Sequence, residues 1–209
     1  MTYSMENALS AICDVRIGYT VRRGLKTAPG GIRAIQLRDL HEEDDLDPAS
    51  APLYPLNPSV KQRYSAGAGD LLFRSRGNRN TAVMIAPDST EAVVAILPLI
   101  VLRPNRDVVD PRYLAWFINQ PGTQRYFHRY ARGTRLRMIP KACLDDLQVE
   151  LPDRGTQRLI VQVHTLARRE HTLAHQLADK KLEFTSFALL QQVRKAQLHG
   201  NDDWARRPT

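Results

Sequence analysis

From Thr156 to Leu198 the chain contains neither proline nor glycine, and Leu159, Val163, Leu166, Leu173 and Leu177 recur at three-to-four spacing. Phe184 and Phe187 continue the stripe beyond Lys180. This is the period of an α-helix with one apolar face, and at 1.5 Å per residue such a helix is about 60 Å long if unbroken. One small domain cannot cover so long a stripe, so part of it is expected to pair with another helix. Glu170 and Lys180 intrude on the seam, which argues against a long regular coiled coil. Beyond Gly200 the sequence is polar and closes on Arg-Arg-Pro-Thr, the composition of a disordered tail. The expected division is a globular domain over 1–151, a helix for assembly over 152–199 and a tail over 200–209.

The first 151 residues read as strands and loops with short helices. Ala11 to Tyr19 and Gly31 to Leu37 carry β-compatible residues separated by a basic loop, Val21 to Gly30. His41 to Asp47 is acidic and Pro48 to Pro58 holds four prolines, which predicts an exposed excursion rather than a central strand or a helix. Ala68-Gly69-Asp70 is a turn that launches Leu71-Leu72-Phe73, and Thr81 to Ile85 and Val93 to Leu102 follow as buried strands. Asp110-Pro111 has the form of a helix start, with Asp as cap and Pro at the first helical position. Pro121-Gly122 divides that helix from a second one reaching about Ala131. Leu147, Val149 and Leu151 alternate with Gln148 and Glu150, the pattern of a half-buried strand. The fold class is therefore α+β, a mixed domain followed by a long helix.

Composition narrows the partners. Thirty Lys and Arg against 22 Asp and Glu give a net charge of +8, which favours a polyanion. Cys13 and Cys143 are far apart and have no metal-ligand spacing, as expected of small buried hydrophobes in a reducing interior. No basic start and apolar stretch open the chain, and the longest apolar run, Ala92 to Leu102, is well short of the roughly 20 residues of a membrane span. A cytoplasmic protein without membrane contact is expected.

Catalytic patterns are sparse. The chain has no Gly-Lys-Ser/Thr phosphate loop and no Gly-x-Gly-x-x-Gly fingerprint. Asn57-Pro58-Ser59-Val60 lacks the second proline and the aromatic of an Asn-Pro-Pro-aromatic base-holding tetrapeptide. His171 and His175 lie one helical turn apart, a spacing able to hold a metal, but third and fourth ligands are missing and polar surface is the simpler reading. No catalytic residue, metal or cofactor is expected.

Basic loops carry more information. Arg74-Ser75-Arg76-Gly77-Asn78-Arg79-Asn80 follows a strand and mixes arginine, which grips guanine edges or phosphates, with asparagine, which pairs with adenine. Arg112 to Leu144 holds seven Lys and Arg and no acid, focused on Arg132-Gly133-Thr134-Arg135-Leu136-Arg137 after a helix end. Arg22, Arg23 and Lys26 form a smaller third group. Any one of these alone reads as solvated surface. Together they favour one positive face, and arginine suits bidentate recognition. The candidate DNA-binding residues are Arg22, Arg23, Lys26, Arg74, Arg76, Asn78, Arg79, Asn80, Arg132, Thr134, Arg135 and Arg137.

Gly69-Asp70-Leu71-Leu72-Phe73-Arg74-Ser75-Arg76-Gly77 resembles the Gly-Asp-hydrophobic-hydrophobic signature of target-recognition domains in type I restriction–modification specificity subunits. Ile17-Gly18-Tyr19-Thr20, Ile35-Gln36-Leu37-Arg38-Asp39-Leu40, Val109-Asp110-Pro111-Arg112-Tyr113-Leu114, Gly133-Thr134 and Ile139-Pro140 follow the family's order. Leu151-Pro152 and Gln157-Arg158-Leu159-Ile160-Val161 resemble the start of its conserved helix, with Asp153 and Thr156 departing from the usual proline and acid. The resemblance implies a non-catalytic, double-stranded-DNA-reading subunit of a phage-defence system, which directs methyltransferase and restriction subunits. Full-length members carry two recognition domains and two conserved helices, whereas this chain carries one of each. That count implies an antiparallel homodimer through the helix and a bipartite, inverted-repeat site, with a methyltransferase subunit or a second half-subunit as other helix partners. The alternative is an interaction protein or decoy that binds a methyltransferase subunit without reading DNA.

Overall fold

The computed structural model describes residues 5–21, 24–40, 45–77, 79–133 and 137–204. The chain divides into two compact units, Met1–Val161 and Gln162–Thr209. In the first, β1 (Met5–Ala8), α1 (Leu9–Ile12) and β2 (Cys13–Ile17) are followed by β3 (Ile32–Ile35), β4 (Leu53–Tyr54), α2 (Pro58–Tyr64) and β5 (Ser65–Ala66). Strands β6 (Leu71–Arg74), β7 (Ala82–Met84), β8 (Val93–Ala95) and β9 (Leu99–Pro104) come next. Helices α3 (Pro111–Ile118), α4 (Pro121–Tyr130) and α5 (Lys141–Asp145), strand β10 (Gln148–Leu151) and the start of α6 (Arg154–Trp204) complete it. The architecture is α+β.

Two four-stranded sheets form its centre. One is antiparallel, in the order β2-β9-β6-β7; the other is mixed, in the order β4-β3-β8-β5, with β3 and β8 parallel. Alternation along each strand builds layers from them. In β6, Leu71 and Phe73 face one cluster and Leu72 the next; in β9, Ile100 and Leu102 alternate with Leu99 and Val101 in the same way. The first cluster is closed by Leu114 and Ile118 of α3, Phe127 of α4 and Leu144 of α5. The second is closed by Ile35 of β3 and by Val93 and Ala95 of β8. The outward residues Ala34 and Val94 meet Tyr54 and Val60 in a third. With both faces covered, the strands read as continuous apolar runs.

Several elements differ from expectation. The segment 11–19 is not one strand: Leu9–Ile12 is a helical turn that buries Leu9 and Ile12 completely or nearly so, and pairing with β9 starts at Cys13. The run from Val93 to Leu102 splits, because β8 and β9 belong to different sheets. The proline-rich segment is not a plain exposed excursion. Tyr54 is fully buried on β4, and Pro58 opens α2 behind Asn57, whose side chain accepts from Ser59 N at 3.0 Å. Its prolines fall beside an edge strand and at a first helical position, where a missing N–H costs little. Helix α5 and the pairing of β1 with β10 are additional to the sequence reading.

Helix α6 starts at Asp153, whose carboxylate accepts from Gly155 N at 2.9 Å, Thr156 N at 3.0 Å and Thr156 Oγ1 at 2.7 Å. The two departures from the family pattern therefore cap the helix themselves. These bonds, the Thr156 hydroxyl first, hold the Asp153 carboxyl below its ordinary value. Gln157 ties the first turn down: its Oε1 accepts from Asp110 N at 2.8 Å and its Nε2 donates to Pro152 O at 2.9 Å. The helix continues past Gly200 to Trp204, and 205–209 of the expected tail lie outside the described residues. No described helix is long and apolar enough to cross a membrane.

Candidate nucleic-acid interface

Two of the arginine loops are joined by main-chain hydrogen bonds. Met138 bridges Arg76 on one side and Arg132 on the other, both antiparallel. Arg132 N donates to Met138 O at 3.0 Å and Met138 N to Arg132 O at 2.9 Å, while Gly77 N donates to Arg137 O at 3.2 Å and Ile139 N to Ser75 O at 2.7 Å. A small three-stranded ladder thus spans residues distant in sequence. Its base is fixed by Ser75, fully buried, whose N–H and Oγ both donate to Pro98 O, at 3.1 and 2.6 Å. Gly77 sits at φ +120°, a conformation that L side chains rarely adopt, which is why glycine stands at the crossing.

The ladder presents Arg76, Arg132 and Arg137 as exposed side chains, with exposed Arg79 just beyond it. Helix α4 abuts the same loop. Gln124 holds Asn80 by its backbone, and helical spacing places His128 on the same flank as Gln124, with Arg125 beside it. Arg125, His128 and Arg129 are exposed, and Phe127 on the opposite face is fully buried against Phe73, ring centroids 5.1 Å apart. The sequence reading counted Arg125 and Arg129 within the basic stretch 112–144 but did not single them out as candidates. The available signal was the spacing of Arg125 and Arg129 around a buried aromatic.

Other candidates go elsewhere. Arg74 is half-buried and braces the fold, donating to Leu37 O at 3.2 Å and Leu40 O at 3.0 Å. Asn80 is 4% exposed and its Nδ2 donates to Arg74 O at 2.9 Å, so its amide is turned inward instead of toward a base. Lys26 is exposed on the β2–β3 loop, whose stem at Tyr19 O accepts from Leu97 N, next to the proline that anchors Ser75. Arg22, Arg23, Asn78, Thr134 and Arg135 lie outside the described residues.

The Gly69-Asp70 signature has a structural basis. Gly69, at φ +75°, turns the chain, and Asp70, 4% exposed, takes a forked ion pair from Arg103 at 3.1 and 2.8 Å plus the Gly67 N–H at 3.0 Å. That pair raises the Arg103 guanidinium above its ordinary value.

Among the described residues no three His, Cys, Asp or Glu side chains gather to hold a metal. His171 and His175 sit with Nε2 atoms 3.1 Å apart on α6. Burial pushes the Cys13 thiol up to about 12 and raises that of Cys143, so both stay protonated near neutral pH. A cleft of about 560 Å³ lined by Tyr113, Trp116, Phe117, Tyr126 and Ile160 is mainly apolar.

No protein-family model matches the chain, and no curated protein matches it in sequence. Solved structures match its fold. A chain from work on complex assembly and conformational transition of the type I R-M system superposes with a TM-score of 0.62 at 19% identity, over 86% of this chain and 42% of that one. The HsdS subunit from Thermoanaerobacter tengcongensis gives 0.56 at 19%, over 81% and 38%. The type I restriction–modification S subunit from M. genitalium gives 0.54 at 11%, over 83% and 41%. At these identities the fold is what is shared, and this chain spans less than half the length of each.

Proposed function

We propose that this chain is a half-length DNA-specificity subunit of a type I restriction–modification system. Its domain reads double-stranded DNA, carries no chemistry of its own and directs methyltransferase and restriction subunits to a site. The observation that carries this reading is the ladder through Met138, which gathers Arg76, Arg132 and Arg137 on a domain with the fold of S subunits. Exposed arginines on a fixed backbone suit forked contacts to guanine edges, and the α4 cations Arg125 and Arg129 suit phosphates.

The exposed stripe of α6 supports self-association. Leu166, Leu173, Leu177, Phe184 and Phe187 are each more than half exposed. Pairing two copies antiparallel about a two-fold axis would supply a second recognition domain, and a symmetric reader selects an inverted repeat with a spacer.

The test is selection of preferred duplexes from a random library by the purified chain, followed by mapping of methylated bases in cells with and without it. The expected result is one enriched inverted repeat that is also the methylated site. Duplex binding without sequence preference, together with tight binding to a methyltransferase subunit, would overturn the reading in favour of a non-reading partner protein.

A further inference from the structure

The α6 seam is a strict heptad. Val163, Leu166, Glu170, Leu173, Leu177, Lys180, Phe184 and Phe187 alternate spacings of three and four, with charge at only two places. Lys180 is three-quarters exposed and its described contact is with Glu183 of the same helix, at 2.6 Å. Gln157, Ile160 and Val161 face the first unit's core, while Leu159, at 59% exposure, stands on the opposite side of the helix. The seam is therefore uncovered from its first turns onward.

We infer that two copies of α6 pair antiparallel in one register, with the two-fold axis level with residue 175 and Glu170 of each copy against the partner's Lys180. This rests on the self-association proposed above and adds what fixes its geometry. Glu170 and Lys180 are equidistant from position 175, so one register satisfies both charges twice. In that register Leu173 meets the partner's Leu177, Leu166 the partner's Phe184 and Val163 the partner's Phe187. Every layer then joins the two kinds of seam position, as antiparallel packing of a heptad requires. Along one flank Arg169 faces the partner's Glu183, a second opposite-charge pair. Along the other run Ala167, Ala174, Lys181 and Ala188, three of the four small enough for close approach.

The competing arrangements are worse. A parallel in-register pair sets Glu170 against Glu170 and Lys180 against Lys180. A shift of one heptad sets Glu170 against the partner's Phe187 or Leu173, burying a charge without a mate. Interruptions that weaken the seam as a generic coiled coil thus specify partner, direction and register, a role polar residues take in such seams.

Sedimentation or light scattering on the full chain tests this with Glu170→Lys, Lys180→Glu and the double variant. Each single variant opposes like charges twice, and a loss of self-association on the order of a hundredfold is expected. The double variant should dimerise as the parent does. An equimolar mixture of the two single variants should form a heterodimer, since every pair is then opposite in charge, and this readout also shows that both variants fold. Single variants that dimerise like the parent would overturn the register while leaving self-association in place. A parent chain that stays monomeric at tens of micromolar would overturn both.

Discussion

Gln124 holds the main chain of Asn80 as a neighbouring strand would: its Nε2 donates to the Asn80 carbonyl at 2.9 Å and its Oε1 accepts the Asn80 N–H at 3.2 Å. Asn119 does the same for Ala82, with Nδ2 to the carbonyl at 2.9 Å and Oδ1 from the N–H at 2.8 Å. Two amides from the helical layer thereby close the edge beside β7, the outer strand of its sheet. Gln124→Ala leaves partly buried main-chain groups unpaired and is expected to lower stability by about 1–3 kcal/mol. Urea denaturation checks the loss. Weaker duplex binding in a variant still folded would show that the same contact holds the arginine loop.

Asp70→Asn is expected to destabilise the fold while leaving any DNA preference intact. The change removes the anion and leaves the Arg103 guanidinium without its counter-ion. Breaking a buried pair in this way costs about 3–5 kcal/mol, but the Arg103 side chain is 41% exposed, so solvent reduces this to about 2 kcal/mol. Denaturation midpoints and library selection on the same variant separate the two effects. A changed preference would place Asp70 in recognition.

Alkaline pH should weaken the domain in a defined window. Burial pushes the Tyr113 hydroxyl, which donates to Glu150 O at 2.7 Å, up to about 12. Burial also raises Tyr126, whose hydroxyl donates to Cys143 O at 3.0 Å. The folded state holds these protons more tightly than the unfolded chain, so their stabilisation is complete below the ordinary value of 10 and is lost as pH rises toward 12. Stability measured against pH should fall across that interval, less steeply in Tyr113→Phe. Identical slopes would exclude the role.

At the proposed interface the arginines are separable by salt. If Arg76 or Arg137 grips a base edge, its change to alanine costs about 1–3 kcal/mol on the preferred duplex and little on a scrambled one. Arg125→Ala combined with Arg129→Ala should weaken both duplexes alike and lower the salt slope by about two. Binding titrations at several salt concentrations check each pattern.

What was legible in the sequence is what short-range physics decides. Asp110-Pro111 caps α3 through Arg112 N at 2.8 Å, Leu71 to Phe73 form β6, and the apolar period of 156–198 is helical. In the 74–80 loop the residues that brace the fold could not be told from those left exposed, because composition is the same for both. Arg74 turns inward to the carbonyls of Leu37 and Leu40, the Asn80 amide turns inward to Arg74 O, and the Asn80 main chain is held by Gln124, 44 residues away. Nor could local pattern reveal that Met138 joins Arg76 to Arg132, since Arg76 lies far from both in sequence. Short elements such as α1, α5 and β1 depend on their partners and carry little signal of their own.

The bonds that tie residues 75–77 to 137–139 run between main-chain groups, apart from the Ser75 hydroxyl beneath them. They would form with almost any side chains at 76, 132 and 137, whereas 74, 77 and 80 are constrained by the fold. Substitutions at the first set are therefore expected to change the displayed surface with little effect on folding, and substitutions at the second to cost stability. Such a scaffold lets the displayed side chains be exchanged singly without rebuilding the framework beneath.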